Sequence, residues 1–307
     1  MTAGGGPPPE RSTTAELAAA VDRLSSAPSP LLVVLDFDGT LAVGSRDPAV
    51  ASIEPAAQRA MRRLARIAVA RPGRVELAVL TGRTVADVAS RVRVGGVEYL
   101  GDHGLQHATL ARGGRPTKLD ARSDPTWDVH RDPAAVLATG VARELRDPPW
   151  LFVERKGPSV AFHVRQADDV VAARAAVLAA VAAVEAREGL ADHGLAHYRG
   201  RSVVDLRPVA AGGKREAVDR LVARHRPGAV VALGDELSDV DAFEAVRSAA
   251  SRPGVVGVTV AVHGERGAAP AELLALADLR LPSARAVGPF LAALGRRLEV
   301  ERGPVGD

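Results

Sequence analysis

Apolar residues fall into two kinds of block along this chain. Short, nearly unbroken runs at Leu31–Leu35, Glu76–Leu80, Val97–Leu100 and Ala229–Leu233 have the length of strands buried on both faces. Between them, apolar residues recur at threes and fours over Thr14–Leu24, Pro55–Ala70, Val85–Val92, Lys214–His225 and Val287–Leu298, which predicts helices. Pro-Ser-Pro around residue 29, Pro72-Gly73 and Gly212-Gly213 punctuate the series. Val255–Val262 and Asp278–Leu281 are weaker strand candidates. Strands alternating with helices in this way predict an α/β, Rossmann-like, doubly wound parallel sheet.

The pattern changes in the middle of the chain. Residues 108–132 are turn-rich, and Pro133–Leu145 reads as a helix. Trp150–Glu154 and Ser159–Arg165 read as strands joined through Lys156-Gly157-Pro158, a hairpin by its turn chemistry. A long Ala-rich helix over Asp168–Glu188 follows, then a second hairpin, Leu195–Arg199 and Ser202–Leu206, around Gly200-Arg201. An α-β-β-α-β-β order predicts an antiparallel sheet with helices on one face. Residues 108–206 therefore read as an α+β module inserted into a domain made of 14–107 and 207–307. Residues 1–13, rich in Gly, Pro and Thr, read as a disordered lead-in, and Gly44–Pro48 as a polar loop.

Composition narrows the function classes. Of 307 residues 47% are hydrophobic but only 3% aromatic, so Ala, Val and Leu must pack the core. The 40 basic and 37 acidic residues are interspersed without a basic run, which gives no support for nucleic-acid binding. With no cysteine, disulfides and thiolate metal sites are excluded. The first residues lack the apolar core of a secretory leader, and no apolar run suggests a membrane span. The expectation is a soluble cytoplasmic protein with no membrane partner.

Chemistry gathers where the strands end. The first run leads straight into Asp36-Phe37-Asp38-Gly39-Thr40, the second into Thr81-Gly82-Arg83, the third into Gly101-Asp102-His103-Gly104 and the Ala229 run into Gly234-Asp235-Glu236-Leu237-Ser238-Asp239. Ligands of open α/β sheets bind just beyond the carboxyl ends of strands. Four acids there, Asp36, Asp38, Asp235 and Asp239, would repel one another without a cation. An all-carboxylate donor set suits a hard ion such as Mg²⁺. A hydroxyl from Thr81, an ammonium from Lys214 and a helix start beside it suit a phosphate. Asp36 fits an in-line nucleophile forming an aspartyl-phosphate, and Asp38 a general acid and base. Alone, Thr81 reads as a helix cap and Lys214 as a surface lysine. Asp239 and Asp241 also suit helix caps, Asp241 the more so, and His103 between glycines suits a structural role.

Together these residues resemble the haloacid dehalogenase (HAD) superfamily of phosphatases, matching its four motifs in order across nearly the whole chain. The resemblance implies that Asp36 is nucleophile, Asp38 acid/base, that Asp235 holds Mg²⁺, and that the insert is a type-two cap closing over substrate. The fullest match is to the trehalose-6-phosphate phosphatase family, carried by Leu35–Leu41, Thr81-Gly82-Arg83, Gly101-x-His103-Gly104, Glu154-x-Lys156 and His163-x-Arg165. It implies hydrolysis of trehalose 6-phosphate, with Mg²⁺ held among Asp36, Asp38, Asp235 and Asp239. It further implies substrate contacts from Gly82, Arg83, His103, Glu154, Lys156, His163 and Arg165, and a functional link to a trehalose-phosphate synthase. A carboxylate and an ammonium on a hairpin bind hydroxyls by accepting and donating; the plain alternative is a surface ion pair. The sequence departs from the family at Glu236 and Val240, and at Arg215, where a glycine is usual. Those departures keep open sucrose phosphate or an aminocyclitol pseudo-disaccharide phosphate as substrate. Other readings are phosphoryl transfer to a second sugar hydroxyl, and a non-catalytic sugar-phosphate sensor or synthase-partner subunit.

Overall fold

The computed structural model describes residues 11–44, 50–190, 192, 194–199, 202–263 and 269–300. In order, the elements are α1 (Thr14–Ser26), β1 (Leu31–Leu35), α2 (Pro55–Ala70), β2 (Val75–Leu80), α3 (Val85–Val92), β3 (Val97–Gly101), β4 (Gln106–Leu110) and β5 (Arg122–Ser123). Then come α4 (Arg131–Glu144), β6 (Phe152–Arg155), β7 (Val160–His163), α5 (Val170–Glu188), β8 (Leu195–Arg199) and β9 (Val203–Pro208). The chain continues through α6 (Lys214–His225), β10 (Ala229–Gly234), α7 (Asp239–Ala250), β11 (Val256–Val262), α8 (Ala271–Leu276), β12 (Leu279–Leu281) and α9 (Ala284–Val300). Its contacts divide it into a core unit, which includes Ala51–Ala121 and the chain from Gly213, and a second unit built on Arg122–Gly212.

In the core unit the strands run β12-β11-β10-β1-β2-β3-β4. All are parallel except β4, which pairs antiparallel with β3. β1 lies mid-sheet and all five of its side chains are buried. Leu31, Val33 and Leu35 join α1, α2, α3 and α9 in one apolar cluster. Leu32 and Val34 join α6, α7 and α8 in another. Two covered faces are why this run shows no alternation, and each such Leu or Val contributes about 1.5–3 kcal/mol on burial.

In the second unit the antiparallel order is β6-β7-β9-β8. Val160, Phe162, Val204 and Leu206 pack against α4 and α5, so one sheet face is apolar and covered. Strand alternation turns Glu154, His163, Asp205 and Arg207 to the other face.

Several sequence expectations shift. Ser12 and Thr13, expected in a disordered lead-in, are ordered. The Ser12 amide donates to the Arg280 carbonyl (3.1 Å), and Thr13 forms a capping box with Glu16 that starts α1. Residues 106–110 form β4, which reaches into the stretch from 108 expected to be turn-rich, and only Ala108 and Leu110 of that strand are buried, too few to show as a run. With β4 in the core unit, the units divide after Ala121 and Gly212, against 107 and 206 from the sequence pattern. The expected Gly44–Pro48 loop lies outside the described residues beyond Gly44, as do the Gly200-Arg201 turn and residues 1–10 of the lead-in.

The far end of α6 is locked to the sheet by Glu98 on β3. Its carboxylate accepts from Arg224 (2.6 Å), meets His225 and lies 2.9 Å from His107 Nε2. Burial raises the Glu98 carboxyl, but the bonds to His107, His225 and Arg224 outweigh it and hold the group below its ordinary value. Such a group adds stability above the unfolded value of 4.5, lost as pH falls through the lower folded value. Glu98→Gln is expected to cost about 1 kcal/mol at neutral pH, because these partners are partly exposed. Urea melts should show that deficit shrinking as pH drops below 4.5.

Candidate active site

Because β1, β2 and β10 are adjacent and parallel, with Leu35 opposite both Val79 and Leu233, their carboxyl ends share one edge. Asp36, Thr81 and Asp235 follow those ends. The Asp36 amide extends the ladder by donating to the Leu233 carbonyl (3.0 Å). The chain then folds back on itself, with Gly39 donating to Ala42 (2.8 Å) and Leu41 to Phe37 (3.0 Å). Gly39 sits at φ +86°, and a Cβ there would lie 2.0 Å from the Asp235 carboxylate. Only glycine lets this turn pass the acid.

Lys214, the first residue of α6, is 1% exposed. Its Nζ donates to Asp36 Oδ1 and to Asp239 Oδ1, each at 2.7 Å. Asp239 Oδ2 accepts the amides of Asp235 (3.0 Å) and Glu236 (3.1 Å), fixing the loop after β10. Burial lowers the Lys214 ammonium, but Asp239 and Asp36 outweigh it and hold the group above its ordinary value. Burial pushes the Asp36 carboxyl well up against the pull of Lys214, and burial with the neighbouring Asp36 pushes Asp235 up as well.

Asp36, Asp235 and Asp239 bring one oxygen each within 4.8 Å of one another. Asp36 Oδ2 is buried with no hydrogen-bond partner. An unpaired carboxylate oxygen in an all-oxygen cluster fits a hard divalent cation. Asp36 and Asp235 suit the ligand role, since Asp239 already accepts three hydrogen bonds.

Asp38, expected in the same cluster, is placed elsewhere. Its carboxylate takes Arg83 Nε (2.6 Å) and Nη2 (2.8 Å) in a bidentate pair. Arg83 Nη1 donates to Asp87 (2.7 Å), and Arg91 also grips Asp87. The Arg83 guanidinium lies 5.4 Å from the Phe37 ring centroid. Burial lowers Arg83, but Asp38 and Asp87 more than offset it. Thr81 is buried, its hydroxyl accepting from the Arg83 amide (3.2 Å), and its carbonyl accepts from the His103 amide (2.9 Å). A Cβ on Gly82 would lie 2.7 Å from His103 Nε2, so the glycine admits the imidazole.

In the second unit Glu154 Oε2 lies 2.9 Å from His163 Nε2 and 3.8 Å from Lys156 Nζ. Burial raises Glu154, but His163 and Lys156 outweigh it and hold its carboxyl low. Lys156 is itself buried, 3.5 Å from Asp205 on β9. Arg165 follows β7 in a turn. Sequence reasoning missed Asp205 and Arg207, whose guanidinium lies 3.7 Å over the Tyr198 ring. Their signal was charge at the alternate positions Asp205 and Arg207 around Leu206, the mark of a strand with one polar face. Of the departures, Arg215 pairs with Glu244 on exposed α7 surface (2.7 Å) and Glu236 accepts from the Ser238 hydroxyl (2.7 Å).

A doubly wound sheet with a β1 carboxylate, a buried lysine and a second acid on one edge, plus an inserted α+β unit, defines a HAD-type protein. The C-terminal domain of C. albicans trehalose-6-phosphate phosphatase has the same fold, with a TM-score of 0.70 at 19% identity over 93% of this chain and 97% of that one. The trehalose-phosphatase family model matches residues 34–274, and the chain belongs to that family. It is 34% identical over 281 residues to the Mycobacterium tuberculosis trehalose-phosphate phosphatase, covering 87% of this chain and 61% of that protein. It is 35% identical over 279 residues to a protein of the same organism described as an uncharacterised glycosyl hydrolase, covering 87% of this chain but 18% of that protein. The chain thus spans less than two thirds of either relative. Among the described residues no helix is long and apolar enough to cross a membrane.

Proposed function

We propose that this chain is a Mg²⁺-dependent phosphatase that hydrolyses trehalose 6-phosphate to trehalose and phosphate. One observation supports this reading above others: Asp36, clustered with Asp235 and Asp239, keeps one buried oxygen without a hydrogen bond, while its other oxygen is held by the buried ammonium of Lys214. Asp36 attacks phosphorus in line and forms an aspartyl-phosphate as the ester oxygen leaves. Asp38, protonated and turned from its bidentate pair with Arg83, gives the leaving sugar oxygen a proton, then takes one from the water that attacks the acyl phosphate. Lys214 and the Thr81 hydroxyl supply positive charge and a donor for the phosphoryl oxygens. Asp36 and Asp235 would hold Mg²⁺, whose charge would offset the negative charge gathered at the site when a phosphate ester binds. On the second unit Glu154, Lys156, His163 and Arg165 read sugar hydroxyls. A trehalose-phosphate synthase is the natural source of such a substrate.

The metal assignment has its own readout. Burial raises Asp36, and burial with the neighbouring Asp36 raises Asp235, so the metal-free chain loses stability as pH rises through their range. Mg²⁺ at a hundred times its dissociation constant is expected to stabilise the fold by about 2.7 kcal/mol. The thermal shift should grow from acid to neutral pH, reverse with EDTA and fail in Asp235→Asn. Indifference of the melt to Mg²⁺ and EDTA would remove the metal from the proposal.

The substrate is tested by phosphate release from trehalose 6-phosphate, sucrose 6-phosphate, glucose 6-phosphate and an aryl phosphate. Trehalose 6-phosphate should give the highest kcat/KM. Lys156→Ala leaves Asp205 and Glu154 short of a buried partner. It should cut the ratio of disaccharide to aryl-phosphate kcat/KM by about tenfold, one lost charge-assisted bond. Equal turnover of glucose 6-phosphate and trehalose 6-phosphate would contradict disaccharide recognition.

A further inference from the structure

Phe152 stands apart from every other phenylalanine of the chain. Phe37, Phe162, Phe243 and Phe290 are at most 4% exposed, whereas Phe152 is 55% exposed. The chain has only five phenylalanines and 3% aromatic residues, so an uncovered ring is not surplus from an aromatic-rich core. Its neighbour Val153 packs with the α4–α5 cluster, and Arg155 bonds to Thr139 and to the Ala135 carbonyl of α4. Alternation therefore turns Phe152 and Glu154 to the open face of the sheet. Across the ladder Phe152 pairs with His163, the ring centroids 5.6 Å apart and tilted by 38°. His163 in turn meets Glu154 at 2.9 Å. An apolar ring thus lies next to a carboxylate and an imidazole that bond to each other, with the Lys156–Asp205 pair further along the same face.

This combination has a ligand chemistry. Sugar rings carry an apolar C–H face and a rim of hydroxyls, and binding sites join aromatic surface to a few placed polar groups. A ring anchored at one edge by a bonded imidazole offers that surface at small conformational cost.

We propose that Phe152 is a specificity-determining residue, the platform on which one sugar ring of a disaccharide phosphate stacks while Glu154 and Lys156 take its hydroxyls. This deepens the phosphatase reading above and rests on it. It selects substrates large enough to reach the platform, disaccharide phosphates over hexose phosphates.

The test uses the full chain with Phe152→Ala and Phe152→Trp, assayed on trehalose 6-phosphate, sucrose 6-phosphate, glucose 6-phosphate and an aryl phosphate. For the preferred disaccharide phosphate, Phe152→Ala should raise KM about five- to tenfold with kcat little changed, and lower its kcat/KM ratio to the aryl phosphate by the same factor. Phe152→Trp should restore the ratio. If wild type prefers sucrose 6-phosphate to trehalose 6-phosphate, the substrate reading falls, yet loss of that preference over the aryl phosphate in Phe152→Ala still supports the platform. An unchanged ratio, an equal loss on all four substrates, or a change in oligomeric state alone would overturn it.

Discussion

Asp36→Asn is expected to lower turnover by about 10⁴-fold or more while leaving the fold intact, because it removes the attacking oxygen itself. Asparagine has the same shape, and its carbonyl oxygen can accept the bond that Lys214 donates to Asp36 Oδ1 at 2.7 Å. The amide nitrogen would then occupy the position of the buried, unpartnered Oδ2, and it has no electron pair to offer phosphorus. Stability should hold or rise, since burial already pushes this carboxyl well above its ordinary value and a neutral group avoids that desolvation. Phosphate release and a thermal melt on the same preparation separate the two effects. Substantial residual turnover by a folded variant would mean another nucleophile.

Lys214→Met should damage both activity and stability. The ammonium is buried between Asp36 and Asp239, and its removal leaves two buried carboxylates facing each other without a counter-charge. Breaking a buried pair from one side costs about 3–5 kcal/mol. Turnover should fall by about 10²–10³-fold, the usual loss for one placed donor. Lys214 is held above its ordinary value, so its contribution is present below the unfolded 10.5 and lost only as pH climbs through the higher folded value. Wild type therefore keeps it across the neutral range. In Lys214→Met the melting deficit should be smaller at acid pH, where the raised Asp36 carboxyl protonates. Adding Asp36→Asn should recover part of it, giving a coupling energy of one sign in a double-mutant cycle. A deficit that ignores both pH and Asp36 would show that the three groups do not act together.

What was legible in the sequence follows from what each signal depends on. β1 could be read because both of its faces are covered, which forces an unbroken apolar run. α2 and α3 could be read to the residue, since Pro55 and Thr84 mark their starts and one apolar face repeats along each. β4 could not, because it is short and antiparallel with two buried positions. α7 went unread because its first turn overlaps the acidic motif, although Ala242, Phe243, Val246 and Ala249 keep helical spacing. At the site, spacing placed Asp36, Asp235 and Lys214 at one edge, since strand ends decide that. It did not separate Asp38 from the other acids. That separation depends on Arg83 reaching across 45 residues of sequence to take both oxygens, with Asp87 holding the arginine from behind. Partners of this kind carry no local pattern.

The departures from the family motif fit the same picture. Arg215 is satisfied by Glu244 at the surface, and Glu236 by Ser238. Neither takes a bond from Lys214 or Asp36, so the buried ion cluster survives both substitutions.

The most direct test of the central claim is the mass spectrum of the peptide carrying residue 36, from enzyme quenched in acid during steady-state turnover of trehalose 6-phosphate. A mass increase of one phosphoryl group, assigned by fragmentation to Asp36, is the expected result. Turnover with that peptide unmodified, or with the phosphoryl group on a different side chain, would contradict it.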